Sequence, residues 1–290
     1  MLPAGIQRIN VFFVSSFKVT AMRNFSTFLF VAVAALSISA CSPRIYLPDR
    51  TNAPMLREAG EVKLTSSLKI QNNANAPRTV LSPSLDFAAS PLKGLGIIAS
   101  YRSTNRYANE EDFYNNYYYQ DSIRYSGSRV EFGVGYYLPF GGRGLFDIYG
   151  GVGFGSIERS NQRGYFGNYD AKYFQAFLQP SIGFAAGDVF DMSGGMKINI
   201  HKYNNFKTDT ISFRYEFTDP NVDIETPTFL MLGPFMNMNV GYKYAKFNMQ
   251  FGANFNINKP HLRIETPFYL SMGITLAIAP RFWRGEERER

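Results

Sequence analysis

Apolar and polar side chains alternate with a period of two residues along most of the chain after residue 60. In 246–258, for example, Phe247 and Phe251 lie in the apolar phase and Asn248 and Gln250 in the polar phase. Successive side chains of a β-strand point to opposite faces, so this pattern predicts strands with one apolar and one uncharged polar face. It predicts ten strands, at 61–71, 81–90, 95–102, 129–140, 145–155, 173–184, 192–201, 229–243, 246–258 and 267–278.

The connections between these strands alternate between short and long. Short turns are expected near 91–94, 140–144, 187–190 and 244–246, and long polar connections at 72–79, 108–126, 160–170, 203–226 and 258–266. Membrane barrels of the bacterial outer membrane combine tight periplasmic turns with larger extracellular loops. We therefore predict an all-β fold, a single antiparallel up-and-down transmembrane β-barrel of about ten strands with both barrel termini on the periplasmic side.

A soluble barrel is the alternative, because it also alternates but hides its apolar face inside. Two features favour the membrane. The polar faces carry mostly Gly, Asn, Gln and Ser rather than the Lys and Glu of a water-facing surface. The strands also reach the length of about 10 residues that crosses a bilayer at a tilt. Pro83, Pro180 and Pro234 fall inside predicted strands and indicate bulges or strand ends there.

The amino-terminal region is different. Residues 25–40 form an apolar stretch that ends in small residues and is followed directly by Cys41. This stretch is shorter than the about 20 residues of a transmembrane helix and, with the charged start at Met22-Arg23, is typical of a secretory signal. Ile38-Ser39-Ala40-Cys41 resembles the bacterial lipobox, in which the cysteine is lipidated and becomes the mature amino terminus. We therefore expect Cys41 to be lipidated and translation to start at Met22.

Four segments follow from these patterns: a signal segment at 1–40, a lipidated periplasmic spacer at 41–59, the barrel at 60–280 and a charged tail at 281–290. The residues after Cys41, Ser42-Pro43-Arg44-Ile45-Tyr46, include no acidic cluster. Surface-displayed lipoproteins of Bacteroidota tend to carry one, so its absence favours an anchor in the periplasm-facing leaflet.

The combination resembles small outer-membrane β-barrel lipoproteins of Bacteroidota. The resemblance lies in 46–68, where Asn52-Ala53-Pro54 and Glu58-Ala59-Gly60-Glu61 precede the first strand, and in the turn Ser90-Pro91-Leu92-Lys93-Gly94-Leu95-Gly96. It implies a barrel fold, a location in the cell envelope and outer-membrane lipid as a partner. It implies no established activity and no functional residue besides Cys41.

Few side chains are suited to catalysis or metal binding. The chain has one cysteine and two histidines, and a single thiol forms neither an internal disulfide nor a cysteine-cluster metal site. The formal charge is +7, but no run of Lys or Arg resembles a nucleic-acid-binding surface. We therefore predict no metal, no cofactor and no nucleic-acid partner.

Omptin-type outer-membrane proteases are also ten-stranded barrels, with a His–Asp pair and a second Asp pair at the extracellular rim. His201 falls near the end of a predicted strand, and Asp209, Asp219 and Asp223 follow in the next connection. A histidine polarised by Asp and paired carboxylates holding a water would suit peptide hydrolysis. Because no local motif links these residues, we predict no catalytic residues and keep a rim protease as the distant alternative.

The connection at 108–126 is the best candidate for ligand binding. It is acidic at its start and contains Tyr114, Tyr117, Tyr118 and Tyr119. Tyrosine supplies rigid, amphipathic contact surface in binding loops. We predict a non-catalytic outer-membrane lipoprotein with a structural or surface-binding role, whose extracellular ligand is a glycan or a protein.

A narrow small-solute channel is the main alternative function. Glycines on the polar faces, such as Gly133 and Gly151, leave room in the lumen of a ten-stranded barrel. Large side chains on the same faces are expected to occupy it, namely Tyr137, Tyr149, Phe177 and Lys197. The sequence therefore predicts no wide diffusion pore.

Overall fold

The structure, a computed structural model, describes residues 44–46, 50–73, 76–114, 117–161, 168–208, 228–258, 263–264 and 268–284. These residues belong to one compact unit, Pro43–Arg290, and most of them are in β-strands. The predicted signal segment at 1–40 and the predicted lipidation site Cys41 lie outside the described residues.

In chain order the strands are β1 (Arg44–Tyr46), β2 (Val62–Asn73), β3 (Ala76–Leu92), β4 (Leu95–Tyr114), β5 (Tyr117–Phe140), β6 (Gly144–Asn161), β7 (Tyr169–Ala186), β8 (Phe190–Thr208), β9 (Thr228–Gly241), β10 (Ala245–Ala253), β11 (Phe255–Asn256), β12 (Arg263–Ile264) and β13 (Phe268–Ile278). One helical turn, α1 (Arg281–Arg284), follows the last strand. No helix in the described part of the chain is long and apolar enough to cross a membrane.

Ten of these strands close into one antiparallel barrel. The pairing runs from β10 through β13 and β2 to β9 in sequence order, and β10 pairs back onto β9 to complete the ring. The short strand β11 extends the pairing with β9. The ten-stranded, up-and-down fold predicted from the alternation is therefore confirmed. Separately, β1 and β12 pair in parallel, with Arg44 opposite Arg263 and Tyr46 opposite Ile264.

Four short turns lie at one end of the barrel, between β3 and β4, β5 and β6, β7 and β8, and β9 and β10. The predicted short turns are confirmed. Gly94, in the first of them, has a φ of 81°, which favours glycine because it has no Cβ. Val62 of β2 pairs with Ile278 of β13, so the barrel also begins and finishes at this end. We call it the short-turn end and the opposite end the long-loop end.

The barrel wall is apolar outside and polar inside. On β10, Phe247 and Phe251 are each 50% exposed on the outer face, whereas Asn248 and Gln250 are buried on the lumen face. The same alternation runs around the ring, and the exposed outer side chains include Leu64, Phe87, Ile97, Phe132, Val152, Ile182, Ile200, Met236 and Ile274. A continuous apolar band on the outside of a closed barrel is stable in lipid rather than in water, so the barrel is a transmembrane one.

Three prolines interrupt pairing on one side of their strands. At Pro180 the register between β7 and β8 skips from Leu178 to Ser181. The pairing of β3 with β4 stops next to Pro83, and that of β9 with β10 stops next to Pro234. Each proline lacks the N–H that one neighbouring strand would accept, while the strand itself continues. The predicted irregularities are therefore present as missing pairs within continuous strands.

The hairpin of β4 and β5 differs from the prediction. Residues 108–126 were expected to form a loop, but β4 and β5 stay paired up to Tyr114 opposite Tyr117. The loop prediction was wrong because strand pairing above the lipid needs no apolar face, so the alternation that identifies a membrane strand is absent there.

Candidate functional site

Residues 50–56, which we call the lumen segment, lie inside the barrel. All seven are buried: Arg50, Thr51, Asn52, Ala53, Pro54, Met55 and Leu56. The sequence predicts a periplasmic spacer at 41–59, before the barrel. That prediction needs correction for the lumen segment, whose side chains and backbone are enclosed by the strands.

Side chains of the wall satisfy the backbone of the lumen segment. Gln250 accepts a hydrogen bond from the Thr51 amide at 2.7 Å and donates one to the Thr51 carbonyl at 2.8 Å. From β7, which β8 and β9 separate from β10 around the ring, Gln179 Nε2 donates to the Asn52 carbonyl at 2.8 Å. Buried peptide groups outside a ladder need such partners, so these two glutamines replace the pairing that a neighbouring strand would give.

The middle of the lumen contains one carboxylate between two guanidinium groups. Asp86 Oδ2 lies 2.9 Å from Arg50 Nε, and its Oδ1 lies 2.5 Å from Arg102 Nη2. Ser100 Oγ also donates a hydrogen bond to Asp86 Oδ1 at 2.8 Å. All three charged side chains are buried, so each depends on the others for its charge compensation. Arg50 thereby joins the lumen segment to the wall.

Nearer the short-turn end, the lumen segment becomes apolar. Met55 and Leu56 pack in one cluster with Ala88, Ile98, Tyr137, Leu145, Tyr149 and Phe177. Gly183 of β7 leaves room for the Met55 side chain, since a Cβ there would lie 2.8 Å from Met55 Sδ. The lumen segment is therefore fixed by polar contacts in the middle of the barrel and by apolar packing nearer the short-turn end.

At the short-turn end, Arg281 of α1 connects the two ends of the barrel chain. Its guanidinium lies 2.9 Å from Glu61 Oε1 and 2.9 Å from Asp188 Oδ1, and its amide donates to Glu58 Oε1 at 2.7 Å. Burial by itself raises the pKa of Glu61, but Lys63 and Arg281 together lower it to about 2. The predicted charged tail thus begins as a helical turn that closes this end.

The lumen face has two unlike walls. The polar wall is the lumen face of β2, β3, β10 and β13, and it consists mainly of small polar side chains. Thr65 and Thr275 hydroxyls lie 2.8 Å apart, and Ser67 and Ser84 hydroxyls lie 2.5 Å apart. A cavity of about 10 Å³, room for one water, remains between this wall and the lumen segment.

The aromatic wall is the lumen face of β5 to β8, where glycines alternate in space with large rings. A Cβ on Gly133 would lie 3.0 Å from the Phe177 ring, and one on Gly135 would lie 2.6 Å from Tyr149 Cδ1. Four side chains were predicted to occupy the lumen, and all four are buried in it: Tyr137, Tyr149, Phe177 and Lys197.

An ion cluster lies on the aromatic wall. Lys197 Nζ is 2.7 Å from Glu131 Oε1 and 4.4 Å from the centre of the Phe177 ring. Gln175 Nε2 donates to the same Glu131 oxygen at 2.8 Å, and Arg129 Nε lies 3.4 Å from it. Further toward the long-loop end, Tyr203, Phe229 and their neighbours form an apolar cluster inside the barrel.

The structure gives His201 a different environment from the predicted rim position. Its side chain is completely buried on the lumen face of β8, with its ring centre 5.5 Å from that of Tyr173. Asp209, Asp219 and Asp223 lie outside the described residues. Among the described residues, no group of three or more His, Cys, Asp or Glu side chains is arranged to hold a metal.

The predicted ligand-binding tyrosines lie at the tip of the β4–β5 hairpin. Tyr114 is opposite Tyr117, Phe113 opposite Tyr118 and Asp112 opposite Tyr119 in the strand register. The pairing of β3 with β4 ends at Arg102, and from there to Tyr114 β4 is paired with β5 alone.

The sequence missed the lumen segment itself; its only signal was the apolar pair Met55-Leu56 within an otherwise polar stretch.

The sequence matches no protein-family profile, and no curated protein matches it. Among solved structures, the chain is similar to the translocator domain of the autotransporter NalP from Neisseria meningitidis, with 9% identity, a TM-score of 0.43 and coverage of 90% of this chain and 97% of that one. It is also similar to the outer-membrane expressed OmpT of Vibrio cholerae, with 9% identity, a TM-score of 0.31 and coverage of 73% and 64%. These identities are too low to transfer any activity.

Proposed function

We propose that the protein is a closed outer-membrane β-barrel lipoprotein that acts without catalysis, as a structural or surface-binding component of the envelope. The outer-membrane barrel fold itself is established by the closed ring of strands and its apolar outer face. The observation that carries the proposal is the lumen segment. Because its backbone is hydrogen-bonded to both the polar wall, through Gln250, and the aromatic wall, through Gln179, it occupies the path that a solute would take.

Planar-bilayer recording tests this closure against the channel alternative. The refolded full chain is expected to give no large, steady conductance. The test variant combines Gln179→Ala and Gln250→Ala in one chain and removes the hydrogen bonds that hold the lumen segment. The control variant is Gln120→Ala, which changes a glutamine near the hairpin tip. Brief openings in the double variant alone would support the proposal. A large conductance of the unmodified protein would overturn it in favour of a channel.

We propose further that Cys41 carries a lipid and that the short-turn end faces the periplasm. Support comes from the resemblance of Ile38-Ser39-Ala40-Cys41 to the lipobox and from the alternation of short turns with longer connections. Mass spectrometry of the amino-terminal peptide from membranes is expected to show a diacylglyceryl group on Cys41. A peptide that starts at Met1 or Met22 with a free thiol would contradict the lipid anchor.

The surface-binding role belongs to the β4–β5 hairpin. It brings Tyr114 and Tyr117 to 119 to the long-loop end on a paired and therefore well-supported scaffold, which suits contact with a glycan or a protein. Glycan and protein arrays probed with the full chain, and with a chain in which 110–122 is replaced by a two-residue turn, test this role. Equal binding by both chains would exclude the hairpin as the binding surface.

The protease alternative is tested by His201→Ala. Complete burial of His201 separates its ring from solvent and from any peptide outside the barrel. We therefore expect the variant and the unmodified protein to be equally inactive on a peptide library. Cleavage that is present in the protein and lost in the variant would establish catalysis.

A further inference from the structure

We infer that the amino-terminal chain threads the whole barrel, so that the residues before Arg44 emerge at the long-loop end, opposite to the end at which β2 begins. The inference rests on the proposed function only for which end faces the cell exterior. The threading itself follows from three sets of contacts, at the bottom, the middle and the top of the lumen.

At the bottom, the chain leaves the lumen at the short-turn end, just before β2. The Gly60 amide donates to the Ser90 carbonyl at 2.7 Å, and the Ser90 amide donates to the Glu61 carbonyl at 2.8 Å. Ser90 lies next to the first short turn, near the end of β3. The chain just before β2 is therefore held at the short-turn end.

In the middle, residues of the lumen segment with lower numbers lie farther from the short-turn end. Lys63 Nζ, one residue into β2, donates to the Met55 carbonyl at 3.0 Å. Asn52 Nδ2 donates to the Ala99 carbonyl at 3.1 Å, and Arg50 Nη1 to Asn248 Oδ1 at 2.9 Å. Ala99 and Asn248 lie inside β4 and β10, away from the short turns that precede these strands. On β4 itself, Arg102 Nη2 donates to the Arg50 carbonyl at 3.3 Å, and Arg102 is three residues farther from the short turn than Ala99. Arg50 therefore lies farther from the short-turn end than Asn52.

At the top, β1 is paired with β12. β12 belongs to the connection between β11 and β13. That connection is at the long-loop end because β13 begins there and finishes at the short-turn end. The pairing is parallel, so β1 runs in the same direction as the chain that leads into β13. The pairing therefore holds β1 at the long-loop end, where a chain that enters the barrel from that end has to start.

The chain between β1 and β2 is long enough to cross the membrane inside the barrel. From Tyr46 to Glu61 the chain has about 15 residues, and at roughly 3.3 Å per extended residue these reach about 50 Å. The hydrocarbon core of a bilayer is about 30 Å thick. The segment can therefore cross the membrane inside the barrel with length to spare, and its polar groups remain shielded from lipid by the wall.

The consequence concerns the lipid anchor. If the short-turn end faces the periplasm, Cys41 lies on the exterior side and a lipid on it enters the outer leaflet. The sequence favoured the periplasm-facing leaflet because acidic residues are absent after Cys41. Threading replaces that expectation with a barrel that displays its own amino terminus, with outer-leaflet lipid as the partner.

Epitope accessibility on intact cells tests the inference with the full chain. One version carries the epitope between Ser42 and Pro43, a second between Asn115 and Asn116 at the hairpin tip, and a third between Gly141 and Gly142 in a short turn. We expect antibody to reach the first and second epitopes on intact cells, and the third only after the outer membrane is permeabilised.

The outcomes separate the threading from the proposed orientation. If the first epitope behaves like the third, the threading is overturned. If the third is reached on intact cells while the first and second are both hidden, the proposed orientation fails but the threading stands.

A crosslink keeps the test decisive if an insertion disturbs folding. In a full chain with Cys41→Ser, Tyr46→Cys and Ile264→Cys place two thiols at paired positions of β1 and β12. The refolded protein is expected to form a disulfide that changes its mobility in a non-reducing gel. A control chain with Tyr46→Cys and Lys93→Cys is expected to form none, because Lys93 lies in a short turn at the other end of the barrel. A missing Tyr46–Ile264 disulfide, with both thiols open to alkylation, would overturn the inference.

Discussion

The polar wall and the aromatic wall fill the same lumen by different means. The aromatic wall uses its own side chains: glycines such as Gly133 and Gly135 make room for the rings of Phe177 and Tyr149. The polar wall carries small hydroxyl and amide groups that leave the lumen open, and the lumen segment occupies that space. A closed barrel can thus be filled from its wall or by a separate stretch of the same chain.

The difference also concerns specificity. Packing of rings against glycine depends on shape alone, whereas the polar wall holds the segment through directed hydrogen bonds and the ion pairs of Asp86. Each buried polar group there has a cost if its partner is lost. We therefore expect substitutions at the junction between segment and polar wall to have larger effects than substitutions within the aromatic wall.

The largest effect is expected for Asp86→Ala. It leaves the guanidinium groups of Arg50 and Arg102 buried without their carboxylate, and breaking a buried ion pair from one side costs about 3–5 kcal/mol. Urea unfolding of the protein in lipid vesicles measures the loss. Asp188→Ala, which removes a partly exposed carboxylate at the short-turn end, is the control and should cost about 1 kcal/mol. Equal losses would remove the special role of the junction.

Leu56→Ala tests the apolar part of the lumen segment. Leu56 is completely buried against both walls, and truncating such a leucine costs about 2–5 kcal/mol through lost contacts and a cavity. The matched control is Leu92→Ala. Leu92 is 64% exposed next to a short turn, so this substitution should lower the free energy of unfolding by about 0.5 kcal/mol. A Leu56→Ala variant as stable as the control would mean that the segment contributes nothing to the folded state.

Two neighbouring glycines test the aromatic wall. A Cβ on Gly151 would collide with the Phe132 carbonyl oxygen and lie 2.7 Å from the Phe177 ring, so Gly151→Ala should cost about 1–3 kcal/mol. On the outer face, the nearest atom to a Cβ on Gly150 lies at 3.8 Å, so Gly150→Ala should be close to neutral. Unfolding in urea separates the two, and similar midpoints would show that the wall tolerates added volume.

A pH dependence is expected at the short-turn end, and it appears only in acid. The pKa of Glu61 is about 2 in the folded protein and 4.5 ordinarily, so the charged carboxylate stabilises the folded state fully above pH 4.5. This contribution is lost as the pH falls from about 4.5 toward about 2. Glu61→Gln should flatten that part of a stability-against-pH curve. An unchanged slope in the variant would assign the acid sensitivity to other groups.

The barrel was predictable because its signal is local and repeated. Each strand has to present an apolar face to lipid, and residues such as Phe247, Phe251 and Ile274 record that requirement in the chain with a period of two. The filling by Tyr137 and Tyr149 was predictable for the same reason, since both fall in the polar phase of their strands.

The lumen segment was not predictable from such patterns. Its partners Gln179 and Gln250 are far away in the sequence, and no periodicity distinguishes a chain inside a barrel from a solvated spacer. The β4–β5 hairpin was missed for a related reason: above the lipid, strand pairing leaves no apolar phase to detect. The sequence therefore predicts the strands that meet lipid, together with the side chains on their lumen faces, and misses the parts of the chain that have no lipid-facing side.

A disulfide between the lumen segment and the wall tests the central claim most directly. Asn52 Nδ2 lies 3.3 Å from Ser100 Oγ, so Asn52→Cys and Ser100→Cys, combined with Cys41→Ser, bring two thiols together inside the barrel. The refolded protein is predicted to form this crosslink under mild oxidation. A control chain with Asn52→Cys and Lys93→Cys is predicted to form no crosslink. Folded protein in which both lumen thiols stay reduced and open to alkylation from outside would contradict a lumen filled by residues 50–56.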